Sequence, residues 1–166
     1  MKNFILGFAS ALLLIPAIAV ACFAFGYTEV RSDQKPSALE TRIMRSAVRN
    51  SVRRSASNLP APPPATNEAI IAGGKLYVLG CMGCHGEPGK PFREDHTAFP
   101  PVPQLPHVGT QYSEPELYWI VKHGIRMTAM SAYGPFYSEQ QLWSLAAFLH
   151  RIDKLPPDTL AAILKK

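Results

Sequence analysis

Cys81-Met82-Gly83-Cys84-His85 is the stretch on which the reading of this 166-residue chain turns. A structural zinc site needs four ligands, usually two such cysteine pairs, and the only other cysteine is Cys22. A thioredoxin-like redox pair wants a strand before it and a helix after it, within a βαβ pattern. Here the motif follows a helical pattern and runs into Gly86-Glu87-Pro88-Gly89. Three cysteines with one close pair also make a poor disulfide framework. What the spacing does suit is attachment of a haem. Cys81 and Cys84 can reach the two vinyl-derived carbons of a porphyrin, and His85 can present its ring to the iron from one side. The sequence therefore predicts one covalently bound haem c.

Outward from that motif the pattern is helical. Thr66 or Asn67 caps a helix over about Glu68 to Leu79. Ser113 with Glu116 reads as a capping box for a helix ending before Gly124, and Ser138 with Gln141 as another for a helix reaching Ile152. Pro156-Pro157 stops that helix, and Asp158 starts a short tail helix. Residues 86–112 and 124–137 remain as long loops, uncommon in a compact domain unless something organises them. A buried haem would do so, and it needs a second axial ligand. Met130 is the choice, since it sits in the Gly-bounded loop Gly124 to Gly134 and not in a helix where methionine is core filler. Met127 is the runner-up, followed by His123 and His107; His96 and His150 read as ordinary.

The N-terminus sets the compartment. Phe4 to Gly26 is 23 residues without a charge. As a helix it spans about 34 Å, against a hydrocarbon core of about 30 Å. Ala19-Val20-Ala21 fits a small-x-small cleavage site, and Cys22 could mark a lipoprotein site, but the apolar run continues past both. The expectation is an uncleaved anchor over residues 1–27. Residues 28–65 form a basic, proline-rich linker, ended by Pro60-Ala-Pro-Pro-Pro64, and residues 66–166 the folded domain. The linker carries the net charge: Tyr27 to Pro60 is +4 and everything after is neutral. A nucleic-acid partner, which would want the basic patch on the folded unit, is thereby disfavoured. Within the linker, Leu39 to Val52 reads as an amphipathic helix with Arg42, Arg45, Arg49 and Arg53 on one face, suited to a solvated spacer or to contact with anionic lipid or an acidic partner.

From about Asn67 to Ile152 the sequence resembles the class I cytochrome c family. Gly73-Gly74-Lys-Leu-Tyr77 looks like its first helix, where a glycine lets two helices cross. Cys81 to His85 is the attachment site. Arg126 to Tyr133 is similar to its Thr-Gly-Met-Pro-Ala-aromatic loop, with Ala129 and Ser131 as departures, and aligns Met130 with the axial methionine. Leu142-Trp143 to Phe148-Leu149 looks like its final helix, whose aromatics pack on the first. Phe99-Pro100-Pro101-Val102 looks like the loop whose proline carbonyl accepts the ligand histidine's proton, a role that falls to Pro100 with Pro101 next.

The resemblance implies an all-α fold, a small helical domain around one haem, and the apolar run Phe4 to Gly26 sets a transmembrane helix before it. With His85 and Met130 both on the iron no position is open to substrate, so the expectation is a non-enzymatic electron carrier. It would be tethered to the cytoplasmic membrane with the haem domain on the periplasmic side, serving redox protein donors and acceptors in a respiratory or dehydrogenase chain. The alternatives are a haem-based ligand sensor and a fixed cytochrome subunit of a larger oxidoreductase.

Overall fold

The computed structural model describes residues 1–92 and 99–165, and every regular element among them is a helix. The chain divides into two compact units, Met1–Ser32 and Asp33–Lys166. The first is a single helix, α1 (Lys2–Ala24), long and apolar enough to cross a membrane by length and composition. Its large apolar side chains, among them Phe4, Ile5, Phe8, Ile15, Ile18 and Phe23, are exposed.

The second unit holds the remaining helices. α2 spans Ala38–Ala56, α3 Asn67–Gly80, α4 Met82–His85, α5 Leu105–Val108, α6 Glu114–His123, α7 Glu139–Leu149 and α8 Pro157–Leu164. The capping chemistry legible in the sequence forms. The Thr66 hydroxyl accepts from Ala69 N–H at 3.2 Å. The Glu116 carboxylate accepts from the Ser113 N–H at 2.7 Å. Ser138 and Gln141 exchange two such bonds, at 2.8 and 3.3 Å. α7 ends at Leu149, three residues before the expected Ile152, because residues 150–153 close into turns.

α3 and α7 cross at the centre of the fold, α6 packs on α7, and α8 packs on α3. Glycine makes the crossing possible. A Cβ on Gly73 would lie 2.0 Å from the Ser144 carbonyl oxygen on α7, and one on Gly74 would lie 2.5 Å from the Ile163 side chain on α8. The two adjacent glycines thus seat two different helices. Around the crossing, Tyr77, Leu142, Leu145 and Phe148 are buried almost completely, and Tyr77 meets Phe148 at a ring separation of 5.2 Å. Trp143 packs against the same core cluster from its edge. It stacks on Tyr118 of α6 at 4.2 Å.

α2 is longer than the sequence suggested. Ser37 caps it, accepting from Glu40 N–H at 3.1 Å, and it runs four residues past Val52. Its last turns pack against α6, with Val52 and Ala56 buried. Arg53 adds an ion pair to Glu116 at 3.7 Å, which contributes little because the guanidinium is largely exposed.

Candidate functional site

Tyr77 ends the buried face of α3, and the chain breaks direction at Cys81, whose φ is −123°. The short helix α4 then carries Cys84 and His85. Cys81 is buried, Cys84 is exposed and His85 lies between. Both thiols are free. Burial, with Cys84 beside it, pushes the Cys81 thiol up to about 11.

Four side-chain bonds pin this segment from outside. The Tyr77 hydroxyl donates to the Gly86 carbonyl at 2.6 Å. The Tyr133 hydroxyl donates to the Gly80 carbonyl at 3.0 Å. Gln104 Nε2 donates to the Cys84 carbonyl at 2.9 Å. His85 Nδ1 lies 3.1 Å from the Pro103 carbonyl, which can only accept, so the imidazole proton sits on Nδ1. That bond leaves Nε2 as the lone-pair nitrogen. Burial holds the His85 pKa below its ordinary value, against the pull of the Pro103 carbonyl, and so favours the neutral ring a metal needs. Gly86 closes the segment at φ +93°, where a Cβ would strike Gln104 Oε1 at 2.7 Å.

The carbonyl partner of His85 is therefore Pro103 and not Pro100 or Pro101. The register follows from Gln104. Its side chain, 5% exposed, is bound to the Cys84 carbonyl and its backbone begins α5, which brings the carbonyl just before it to His85. Pro100 itself follows a cis peptide after Phe99. Gln104 and Pro103 escaped the sequence reading; proline 103 is one of several in 100–106 and carries no mark of its own.

The 124–134 loop separates its two methionines. Met127 is 87% exposed with φ +60°. Met130 is half-buried and packs against the core cluster that includes Tyr77 and Cys81. The loop closes on itself: Ile125 N–H donates to the Met130 carbonyl at 3.0 Å, and Met130 N–H to Thr128 Oγ1 at 3.1 Å. Tyr133 and Gly134 N–H groups then bond the carbonyls of Val121 and Lys122, each at 3.0 Å, which fastens the exit to the end of α6. Gly124, at φ +67°, is required because a Cβ there would lie 2.6 Å from the Met130 carbonyl. These bonds supply the stiffness that Ala129 and Ser131 do not. The other candidates lie elsewhere. His107 is exposed on α5 against Phe92, and His123 is exposed at the end of α6 against Trp119. His150 is exposed, 3.8 Å from Glu114. His96 is outside the described residues.

The donor set suits a haem better than a bare ion. No group of three or more His, Cys, Asp or Glu side chains that could hold a metal ion occurs among the described residues. Two unpaired thiols and one imidazole with a free Nε2 match a group that brings its own equatorial nitrogens. Residues 68–149, from α3 through α7, match the family model described as "Cytochrome C oxidase, cbb3-type, subunit III". No curated protein and no solved structure matches the chain.

Proposed function

Residues 68–149 form a class I c-type cytochrome domain, whose chemistry is haem-based electron transfer, and on that premise we propose that the chain is a membrane-tethered, exported one-electron carrier with a single covalent haem. The bound haem would supply the iron couple that gains and loses the electron. The observation that carries the assignment is His85, its Nδ1 committed to Pro103, directly beside two free thiols. Cys81 and Cys84 would hold the porphyrin edge, and His85 Nε2 would bind the iron. Met130 is the chosen second ligand, supported by its half-burial against the Cys81-containing core where Met127 points to solvent. Thioether and imidazole together favour reduced iron and raise the potential. The Pro103 carbonyl tunes the donor strength of His85, and Gln104 holds that carbonyl in place.

The apolar helix α1 would keep the protein on the cytoplasmic membrane with the haem domain outside, where attachment to such motifs takes place. Its sequence continues apolar beyond Ala21, which supports an anchor over a cleaved signal. Arg42, Arg45, Arg49 and Arg53 would add contact with anionic lipid. Redox proteins would serve as donor and acceptor. The family's description names an oxidase subunit, which favours a second reading, a cytochrome held within a larger oxidoreductase.

The test is direct. Full-length protein expressed with haem-attachment machinery should stay in the membrane fraction through a high-salt wash. It should carry one haem per chain that survives denaturation, and show sulfur-to-iron absorption at the red edge of its oxidised spectrum. Cys81→Ser with Cys84→Ser should abolish the covalent haem. A soluble product, or a haem extracted by acid solvent, defeats the reading. Stoichiometric co-purification with oxidoreductase subunits in mild detergent would select the second one.

A further inference from the structure

We propose that α2 is an interfacial strut: it lies on an anionic bilayer surface by its first turns and carries the haem domain rigidly on its last ones. The proposal rests on the tethering just described and deepens it. The helix divides its chemistry both around its axis and along its length. Val52 and Ala56 are buried and Val48 is half-buried, and its closing turns are packed on α6. Leu39 and Ile43, on the opposite side at about 140° around the helix from Val52 and Val48, are left 67% and 56% exposed. Arg42, Arg45 and Arg49, all exposed, run along the flank between, nearly in line with Val52 and Ala56 but nearer the start of the helix, where α6 does not cover them.

A solvated spacer has no use for exposed leucine and isoleucine aligned one turn apart beside a row of guanidiniums. An interfacial helix has: the apolar side chains enter the headgroup boundary while the arginines meet phosphate. The occupant is named by two further facts. The net positive charge of the exported part lies in this segment, the domain after residue 60 being neutral overall, so the attraction is local and of the sign that anionic lipid requires. The preceding helix, α1, has the length and composition to cross a bilayer and ends only thirteen residues, 25–37, before α2 begins. A flexible segment of that length reaches about 20 Å, so α2 is kept within contact of the surface. The tether is thereby shorter than the whole of Tyr27 to Pro60, which would reach about 30–35 Å if flexible. Because Val52 and Ala56 fasten the helix to α6, a bilayer that orients α2 also orients the α3–α7 crossing and the haem it holds.

Haem-loaded full-length protein in nanodiscs supplies the test. Amide hydrogen exchange over residues 38–50 is compared on phosphatidylcholine alone and on phosphatidylcholine with one-third phosphatidylglycerol. We expect exchange at least tenfold slower on the anionic disc. Leu39→Ser with Ile43→Ser, and separately Arg42→Gln with Arg45→Gln and Arg49→Gln, should each remove most of that difference while the haem spectrum stays unchanged. Equal exchange on the two discs, or protection that needs an added acidic protein, overturns the strut. The wash that tests the anchor reads α1 alone, so a protein that resists the wash yet shows no lipid-dependent protection defeats this inference and leaves the tether standing. Protection by anionic vesicles in a protein shown to lack a spanning α1 would defeat the tether and leave the strut.

Discussion

Replacement of Gly73 by alanine tests the helix crossing on which the haem site is built. The added Cβ would sit 2.0 Å from the Ser144 carbonyl oxygen, 2.5 Å from its carbonyl carbon and 2.9 Å from Leu145 N. All three are backbone atoms of α7, so no side chain can rotate out of the way. Relief requires α3 and α7 to separate by more than an ångström, which loosens the Tyr77–Phe148 contact at 5.2 Å. Overpacking of this kind costs about 1–3 kcal/mol, and occasionally more. Against this, alanine gains about 1 kcal/mol of helix propensity over glycine. The net expectation for Gly73→Ala is a loss of up to about 2 kcal/mol, toward the upper end because every clashing atom is backbone. For a domain of this size a loss of about 2 kcal/mol lowers the melting midpoint by roughly 8–16 °C. Gly73→Leu should lose more. Gly74→Ala provides the internal control. Its Cβ would meet Ile163 side-chain atoms at 2.5 to 3.0 Å, which can shift, so it should cost less. The assay is thermal unfolding of the haem-loaded protein, followed by far-ultraviolet circular dichroism and by Soret absorbance, with the exposed Lys75→Ala as a propensity control. A midpoint for Gly73→Ala at or above the parent's, or a larger loss at Gly74 than at Gly73, would refute the reasoning.

Three further expectations follow from the site. Met130→Ala should open the iron to carbon monoxide in the reduced state and lower the reduction potential, whereas Met127→Ala, at a side chain 87% exposed, should do neither; the reverse pattern in a carbon monoxide titration would move the ligand to Met127. Gln104→Ala leaves the Cys84 carbonyl without its partner and frees the Pro103 carbonyl from its register, so it should cost about 1–3 kcal/mol in urea unfolding and shift the potential; an unchanged potential would show that Gln104 does not position the His85 contact. Lys122, 2.6 Å from Glu139, holds that carboxyl below its ordinary value, aided by the Tyr118 hydroxyl. A lowered carboxylate contributes stability that is complete above its unfolded value and fades as pH falls through the folded one, so Glu139→Gln should flatten the acid side of the urea-midpoint profile at and below the ordinary glutamate value of 4.5, and an unaltered profile would remove Glu139 from the account.

What could be read in the sequence was whatever contiguous residues decide among themselves. Cys81, Cys84 and His85 declare their chemistry by spacing alone. Ser113 with Glu116, and Ser138 with Gln141, declare helix starts because a capping box closes within four residues. The apolar run of α1 and the arginine period of α2 are likewise local counts. Tertiary structure decided the rest, because each remaining choice lay between residues of the same local character. Nothing in Phe99 to Pro106 distinguishes one proline carbonyl from another; Pro103 is selected by Gln104, whose own partner, Cys84, lies twenty residues back along the chain. Gly73 and Gly74 are identical neighbours, and the turn of one helical residue sends the first to α7 and the second to α8. Met127 and Met130 share a loop, and the bond from Ile125 N–H to the Met130 carbonyl closes that loop while only Met130 packs against the core. Val52 and Ala56, small residues in a basic stretch, become a docking surface only because α6 is there to cover them. Local sequence chooses among backbone states, whereas a side chain's role in this domain is chosen by what the fold carries to it from a distance.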